Sequence, residues 1–232
     1  MTVTTTYPAR AIGKLLNGCT ATLIGPRHAI TAAHCLDGGG TIQFVPGQNG
    51  DGTTPNGGPY SATHIYLRVA TNTLYDYGVI GLPDNANIAS LGWFGMWWDS
   101  TLSNYLNKTA YLKGYPLSGQ TCPGQLCGGF MWSDNAVLDR TPQATGNYGI
   151  LYYEIDASGG NSGSSIYSYF NGLPAVLAVH KRGNESSCGS CDYTHDPADY
   201  NVGARLTQTV ANDLCWMIGE IGPSSFASHP CT

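Results

Sequence analysis

The feature that most constrains this chain is the steady return of short apolar or β-branched runs between clusters of Gly, Pro, Asn and Asp. Ala11–Leu16, Thr20–Ile24, Ala29–Ala32, Thr41–Val45, His64–Val69 and Tyr77–Leu82 each have the length and composition of a strand. A stretch containing Trp93, Phe94, Trp97 and Trp98 follows. A second series then runs through Thr109–Gly114, Phe130–Leu138, Ile150–Ile155, Ser164–Tyr169, Ala175–His180 and Asn201–Arg205. No strand–helix–strand alternation interrupts the pattern, so the expected fold is all-β. Its expected form is two packed six-stranded antiparallel barrels, one over 1–105 and one over 106–232. One helix is expected at the end, where Leu206, Val210, Leu214, Met217, Ile218 and Ile221 recur at three- and four-residue spacings and Gly219 and Gly222 mark its stop.

Composition narrows the function. Only 11% of the 232 residues are charged and the net charge is −5, with ten scattered Lys and Arg, which leaves no basic stripe for nucleic acid. The longest purely apolar run, Ala175 to Val179, is far shorter than the roughly 20 residues that cross a bilayer, so no membrane association is expected. Eight cysteines form an even set and point to disulfides made in an oxidising compartment, hence to a secreted protein. The opening Met1-Thr2-Val3-Thr4-Thr5-Thr6 lacks the basic start and apolar run of a secretion signal, so a processed form is expected.

Three segments carry candidate chemistry. In Asp156-Ala157-Ser158-Gly159-Gly160-Asn161-Ser162-Gly163-Ser164 a serine sits in a glycine-dense turn between two strands. Glycine permits the dihedrals and close approach that aim backbone N–H groups at one point, so Gly160 and Ser162 are the candidate oxyanion donors. Taken alone, an ordinary Gly/Ser turn reads the same way. In Thr31-Ala32-Ala33-His34-Cys35 a histidine precedes a cysteine that, if paired with Cys19, would fix the turn holding a general base. In Tyr75-Asp76-Tyr77-Gly78-Val79-Ile80 an acid enters an apolar strand and needs a partner there. Accepting Nδ1–H of His34 would set the tautomer that leaves Nε2 free to take the serine proton.

The chain order His34, Asp76, Ser162 matches that of the chymotrypsin-like proteases. With these three motifs the sequence resembles the trypsin-like superfamily, and more closely its bacterial and fungal glutamyl-endopeptidase branch. In that branch Thr-Ala-x-His-Cys, Tyr-Asp-x-x-Val-Ile and Gly-Asn-Ser-Gly-Ser are typical. Thr4 to Ala11 is similar to the branch's Thr-Thr-x-x-Pro-x-Arg-Ala opening, and the likeness runs from Thr4 to about Arg205.

The resemblance implies a serine endopeptidase working through a Ser-His-Asp triad and an acyl-enzyme, on polypeptide substrates, with protein inhibitors as a further partner class. It implies no cofactor and no metal, and a monomer is expected. His180 ends its strand as does the histidine that contacts the substrate carboxylate in the glutamyl endopeptidases, which implies cleavage after Glu. Asp156, six residues before Ser162, holds the place of trypsin's pocket-floor aspartate, so Arg/Lys specificity is the alternative. Ala157 departs from the hydroxyl residue usual in the branch, and Asn161 replaces the aspartate that pairs with a freed N-terminal amine in animal digestive proteases. An esterase using the same triad and a silent protease-fold binding module are the other readings. The remaining cysteines leave Cys122 beside Cys127, a Cys188-x-x-Cys191 pair that with His195 is a zinc alternative, and Cys215 with Cys231 for the tail.

Overall fold

A computed structural model describes residues 3–50, 52–69, 75–117, 121–122, 125–126, 129–138, 149–182, 200–226 and 231. The first half forms β1 (Ile12–Leu15), β2 (Thr20–Gly25), β3 (His28–Thr31), β4 (Gln43–Pro46), β5 (Tyr60–Ser61), β6 (His64–Val69) and β7 (Asp76–Gly81). These make one antiparallel sheet in the order β5-β4-β1-β2-β3-β7-β6. A short helix α1 (Ala86–Ser90) follows, begun by the Asn85 side chain accepting from Asn87 N.

The second half adds β8 (Gly95–Met96), β9 (Thr109–Gly114), a small hairpin of β10 (Thr121–Cys122) with β11 (Gln125–Leu126), then β12 (Trp132–Val137), β13 (Ile150–Tyr153), β14 (Ser165–Phe170), β15 (Leu173–Arg182) and β16 (Asn201–Arg205). Apart from the small hairpin they form a sheet ordered β12-β9-β14-β15-β16-β13, with β8 lying parallel on β15. The fold is therefore all-β, two curled antiparallel sheets with one C-terminal helix, and all twelve strands expected from the sequence are present. Each sheet has one short strand more than the six expected, β5 in the first and β8 in the second.

Local chemistry accounts for the turns. Between β14 and β15 the pair Asn171-Gly172 takes φ 51° and 79°, the two left-handed positions that a tight two-residue hairpin needs. Helix α2 (Gln208–Ile221) starts where the Thr207 side chain accepts from Val210 N and ends at Gly222, φ 86°. Gly219, expected to help stop it, instead lies on an exposed face inside the helix, because the apolar stripe continues through Ile221.

The first sheet closes over a core that includes Leu23, Ile30, Phe44, Tyr77 and Val79, and α2 contributes Val210, Leu214, Met217, Ile218 and Ile221 to it. The second sheet packs Leu112, Leu151, Tyr153, Ile166 and Leu177 around a separate cluster. Each such aliphatic side chain contributes roughly 1.5–3 kcal/mol when fully buried.

The tryptophan-rich segment joins the halves: Phe94 N donates to Leu23 O of the first sheet and Trp97 N to Val176 O of the second. The polar segment after β4 does the same, since Gly50 N donates to Gly129 O and the Tyr115 hydroxyl to Gln48 O. No helix among the described residues is long and apolar enough to cross a membrane.

Candidate active site

The candidate acid and the candidate base are built by the first sheet. After β3 the chain tightens into a 3₁₀ turn over Ala33–Cys35, and a disulfide from Cys35 to Cys19, at the start of β2, closes the turn onto the sheet. Asp76 opens β7 and is buried, 7% exposed, while its carboxylate takes two hydrogen bonds from one residue. His34 N donates to Oδ1 at 2.9 Å, and the His34 ring meets Oδ2 through Nδ1 at 2.7 Å. Burial opposes ionisation of Asp76, yet the bonds from the His34 ring and backbone outweigh it and hold the carboxyl below its usual range. An ionised carboxylate only accepts, so Nδ1 carries a proton, and in the neutral form of the ring Nε2 keeps a lone pair. The ring's other side is open, with the His34 side chain 47% exposed.

The second sheet supplies the serine through two consecutive turns. Asn161 N donates to Ser158 O and Ser164 N to Asn161 O, and each turn has a left-handed glycine at its third position: Gly160, φ 96°, and Gly163, φ 84°. Both positions also lack room for a side chain. A Cβ at Gly160 would lie 2.5 Å from Tyr115 O, and one at Gly163 would lie 2.0 Å from Thr31 Oγ1 and 2.3 Å from Thr20 O. The consequence is an alternation of amides. Asn161 and Gly163 donate within the fold, whereas Gly160 N–H and Ser162 N–H donate to nothing among the described residues. Two unclaimed donors flanking a serine are the arrangement that an oxyanion site requires.

Backbone contacts bring the serine to the first sheet. Thr20 N donates to Ser162 O at 2.9 Å, and the buried Thr20 hydroxyl donates to Gly160 O while accepting from Tyr115 N, 3.0 Å each. Thr20 follows Cys19, so the turn carrying Ser162 and the disulfide beside His34 are anchored at adjacent residues. The Ser162 hydroxyl itself enters no hydrogen bond among the described residues.

His180 lies near the end of β15 and is 2% exposed. Its carbonyl accepts from Gly163 N and its ring pairs through Nδ1 with the Tyr153 hydroxyl. Desolvation, with a smaller contribution from the charge of His34, pushes the His180 ring down to about 4, so it is neutral at pH 7. Lys181 is the extra residue of a β-bulge, since His180 pairs with Gly203 and Arg182 with Val202. Asp156 is exposed, and its amide is held by Asp134 Oδ2 at 2.9 Å; Ala157 packs partly buried against the second core. Asn161 is buried, and its carbonyl oxygen has no partner among the described residues, a site where a carboxylate would have been costlier still.

Thr20, Tyr153 and the amide alternation are not legible in the sequence. A buried Thr next to Cys19 carries no distinguishing signal, and Tyr153 is hidden in an apolar run whose register alone aims it at His180. The Cys215–Cys231 pairing is formed. Cys127, Cys188, Cys191 and His195 lie outside the described residues, as does the zinc alternative built on them. The one His/Cys cluster among the described residues, Cys19, His34 and Cys35, has both sulfurs in a disulfide and so offers no thiolate pair to a metal.

Residues 19–172, which contain His34, Asp76 and Ser162, match the family model of the trypsin-like peptidase domain. The chain belongs to that family. It is 30% identical over 231 residues to a glutamyl endopeptidase of Bacillus licheniformis, covering 92% of this chain and 65% of the relative. It is also 30% identical over 233 residues to a protein of Bacillus subtilis named extracellular metalloprotease, covering 91% and 64%. The chain thus spans about two thirds of the length of these relatives. Among solved structures, the protease Anisep from Arthrobacter nicotinovorans superposes with a TM-score of 0.65 at 18% identity, over 88% of this chain and 95% of that one, and shares its fold.

Proposed function

We propose that this chain is a secreted, monomeric serine endopeptidase in which Ser162 is the nucleophile, His34 the general base and Asp76 its orienting carboxylate, with a preference for cleavage after Glu. The observation that carries the reading is an ionised Asp76 bound to His34 Nδ1 at 2.7 Å, tied through Thr20 to a turn whose Gly160 and Ser162 N–H groups are both unclaimed among the described residues. In the reaction, Ser162 Oγ attacks the scissile carbonyl as its proton passes to His34 Nε2, and the two N–H groups receive the developing oxyanion. His34 then protonates the leaving amine, giving an acyl-enzyme, and a water activated by the same nitrogen releases the acid.

The Glu preference rests on His180. If the Tyr153 hydroxyl donates to Nδ1, the neutral ring carries its proton on Nε2 and can donate it to a substrate carboxylate; such a charge-assisted bond is worth about 1.5–3 kcal/mol. The 30% identity to a glutamyl endopeptidase supports the same reading. Asp156, exposed and engaged through its backbone with Asp134, gives less support to Arg/Lys specificity. The disulfides and the relatives' names support an extracellular setting.

A panel of fluorogenic peptides differing only in the residue before the cleaved bond, run beside Ser162→Ala, tests it. Cleavage after Glu that is lost in the variant is expected. Cleavage after Arg or Lys would transfer specificity to Asp156. Turnover of simple esters but of no peptide, or none at all, would overturn the endopeptidase.

A further inference from the structure

Helix α2 follows β16 of the second sheet yet packs on β7 of the first, so it straps the sheet bearing Ser162 to the strand that begins with Asp76. It grips β7 at both ends. At the far end a Cβ on Gly81 would lie 2.7 Å from Ile221 Cγ2, and the His28 ring, on the strand paired with Gly81, meets Gly222 O at 3.1 Å. At the near end the wholly buried Tyr77, the residue after Asp76, donates its hydroxyl to Asp213 Oδ2 at 2.7 Å. Arg68, directly across the ladder from Tyr77, forks onto the same carboxylate through Nε at 3.0 Å and Nη2 at 3.2 Å.

Neighbouring side chains on a strand point to opposite faces, so Tyr77 reaches the helix while Asp76 reaches His34. Burial and the bond to Asp213 raise the Tyr77 phenol far above its usual range, which keeps the hydroxyl a donor at every working pH. Asp76 itself has little freedom, because one of its two bonds comes from the His34 backbone. Its position relative to Ser162 is thus set by where β7 sits, and the Tyr77–Asp213 contact is the polar tie between β7 and the strap.

We propose that Asp213, acting through Tyr77, is a positioning residue for the reaction, holding Asp76 and His34 in register with Ser162 across the two sheets. The inference rests on the triad reading above.

The test compares wild type, Tyr77→Phe, Asp213→Ala and Asp213→Asn, with rates scaled to active sites titrated by a serine-directed inhibitor. Tyr77→Phe keeps the ring and loses only the hydroxyl, and is expected to lower kcat about 10-fold, as a small misplacement of catalytic groups does, with KM within about twofold. Asp213→Ala is expected to match it, and Asp213→Asn, which keeps an acceptor oxygen, to restore most of the rate. The downfield proton resonance of the His34–Asp76 hydrogen bond should broaden or shift in the two slow variants and return in Asp213→Asn. A lowered melting temperature with unchanged kcat and unchanged resonance would overturn the proposal and leave the triad standing. Wild-type turnover that persists in Ser162→Ala would overturn the triad reading instead. Should Tyr77→Phe fail to fold, the Asp213 pair decides alone, since Asp213 is only partly buried.

Discussion

In the first sheet the candidate residues meet through a side chain: the Asp76 carboxylate takes one hydrogen bond from the His34 ring and one from the His34 backbone, and a disulfide closes the turn that holds the candidate base. In the second sheet almost nothing is done by side chains. Ser162 is presented by two stacked turns, its neighbours donate or withhold backbone amides, and the residues that permit this are glycines. A site half of the first kind is lost by changes that preserve shape and alter chemistry. A half of the second kind is lost by changes as small as one methyl group.

The sharpest way to break that contrast is activity. Asp76→Asn keeps the shape and removes the charge that selects the His34 tautomer, so kcat is expected to fall about 10⁴-fold. Ser162→Ala is expected to cost on the order of 10⁶-fold, and the double variant should be no worse than Ser162→Ala, because the residues act as a unit. Steady-state kinetics on one Glu-containing peptide would check both. Additive losses would mean that the halves work independently.

The backbone-built half is probed by Gly163→Ala. The new Cβ would meet Thr31 Oγ1 and Thr20 O at φ 84°, and strain plus overpacking should cost roughly 2–5 kcal/mol. Gly172→Ala shares the positive φ, 79°, but has open space around its Cβ, so only the backbone penalty of about 1–2 kcal/mol should remain. Urea unfolding of both variants gives the difference, and equal losses would assign the effect to dihedral strain alone.

His180 belongs to the second half yet titrates against its surroundings. Its folded ring resists protonation until about pH 4, whereas the unfolded ring takes a proton near 6.5. The unfolded state therefore binds more protons in between, and stability present at pH 7 is lost as pH falls from 6.5 towards 4, by about 3 kcal/mol. His180→Gln should flatten that part of the profile in denaturant midpoints recorded at pH 7, 5.5 and 4.5. The smallest effect is expected at Arg68, whose side chain is half exposed: Arg68→Gln should cost about 0.5 kcal/mol, vanishing at high salt, while Tyr77 keeps its bond to Asp213.

Much of this was readable in advance for physical reasons. Strands such as β9 and β16 stand within one residue of their expected limits because β-branched and apolar runs end where Gly, Asn or Pro intervenes. The approach of His34 to Asp76 follows from an acid placed in an apolar strand, where only a partner makes burial tolerable. The short strand β8 is not legible in the sequence because two residues carry no period, and its parallel pairing with β15 depends on the Trp97 N to Val176 O contact that only the packed sheets create. The bulge at Lys181 likewise depends on the register of β15 against β16.

By itself the sequence determined twelve strands and the closing helix, since each depends on local composition, and its resemblance to a known family pointed to the three residues proposed for catalysis. The tertiary structure alone decided which amides near Ser162 stay unpaired, that Thr20 ties the serine turn to the first sheet, that His180 is buried against Tyr153, and that α2 reaches back to Tyr77. The His180–Tyr153 and Thr20–Gly160 contacts join residues 27 and 140 positions apart. Their geometry follows from how two sheets and a helix pack, and no local propensity encodes it.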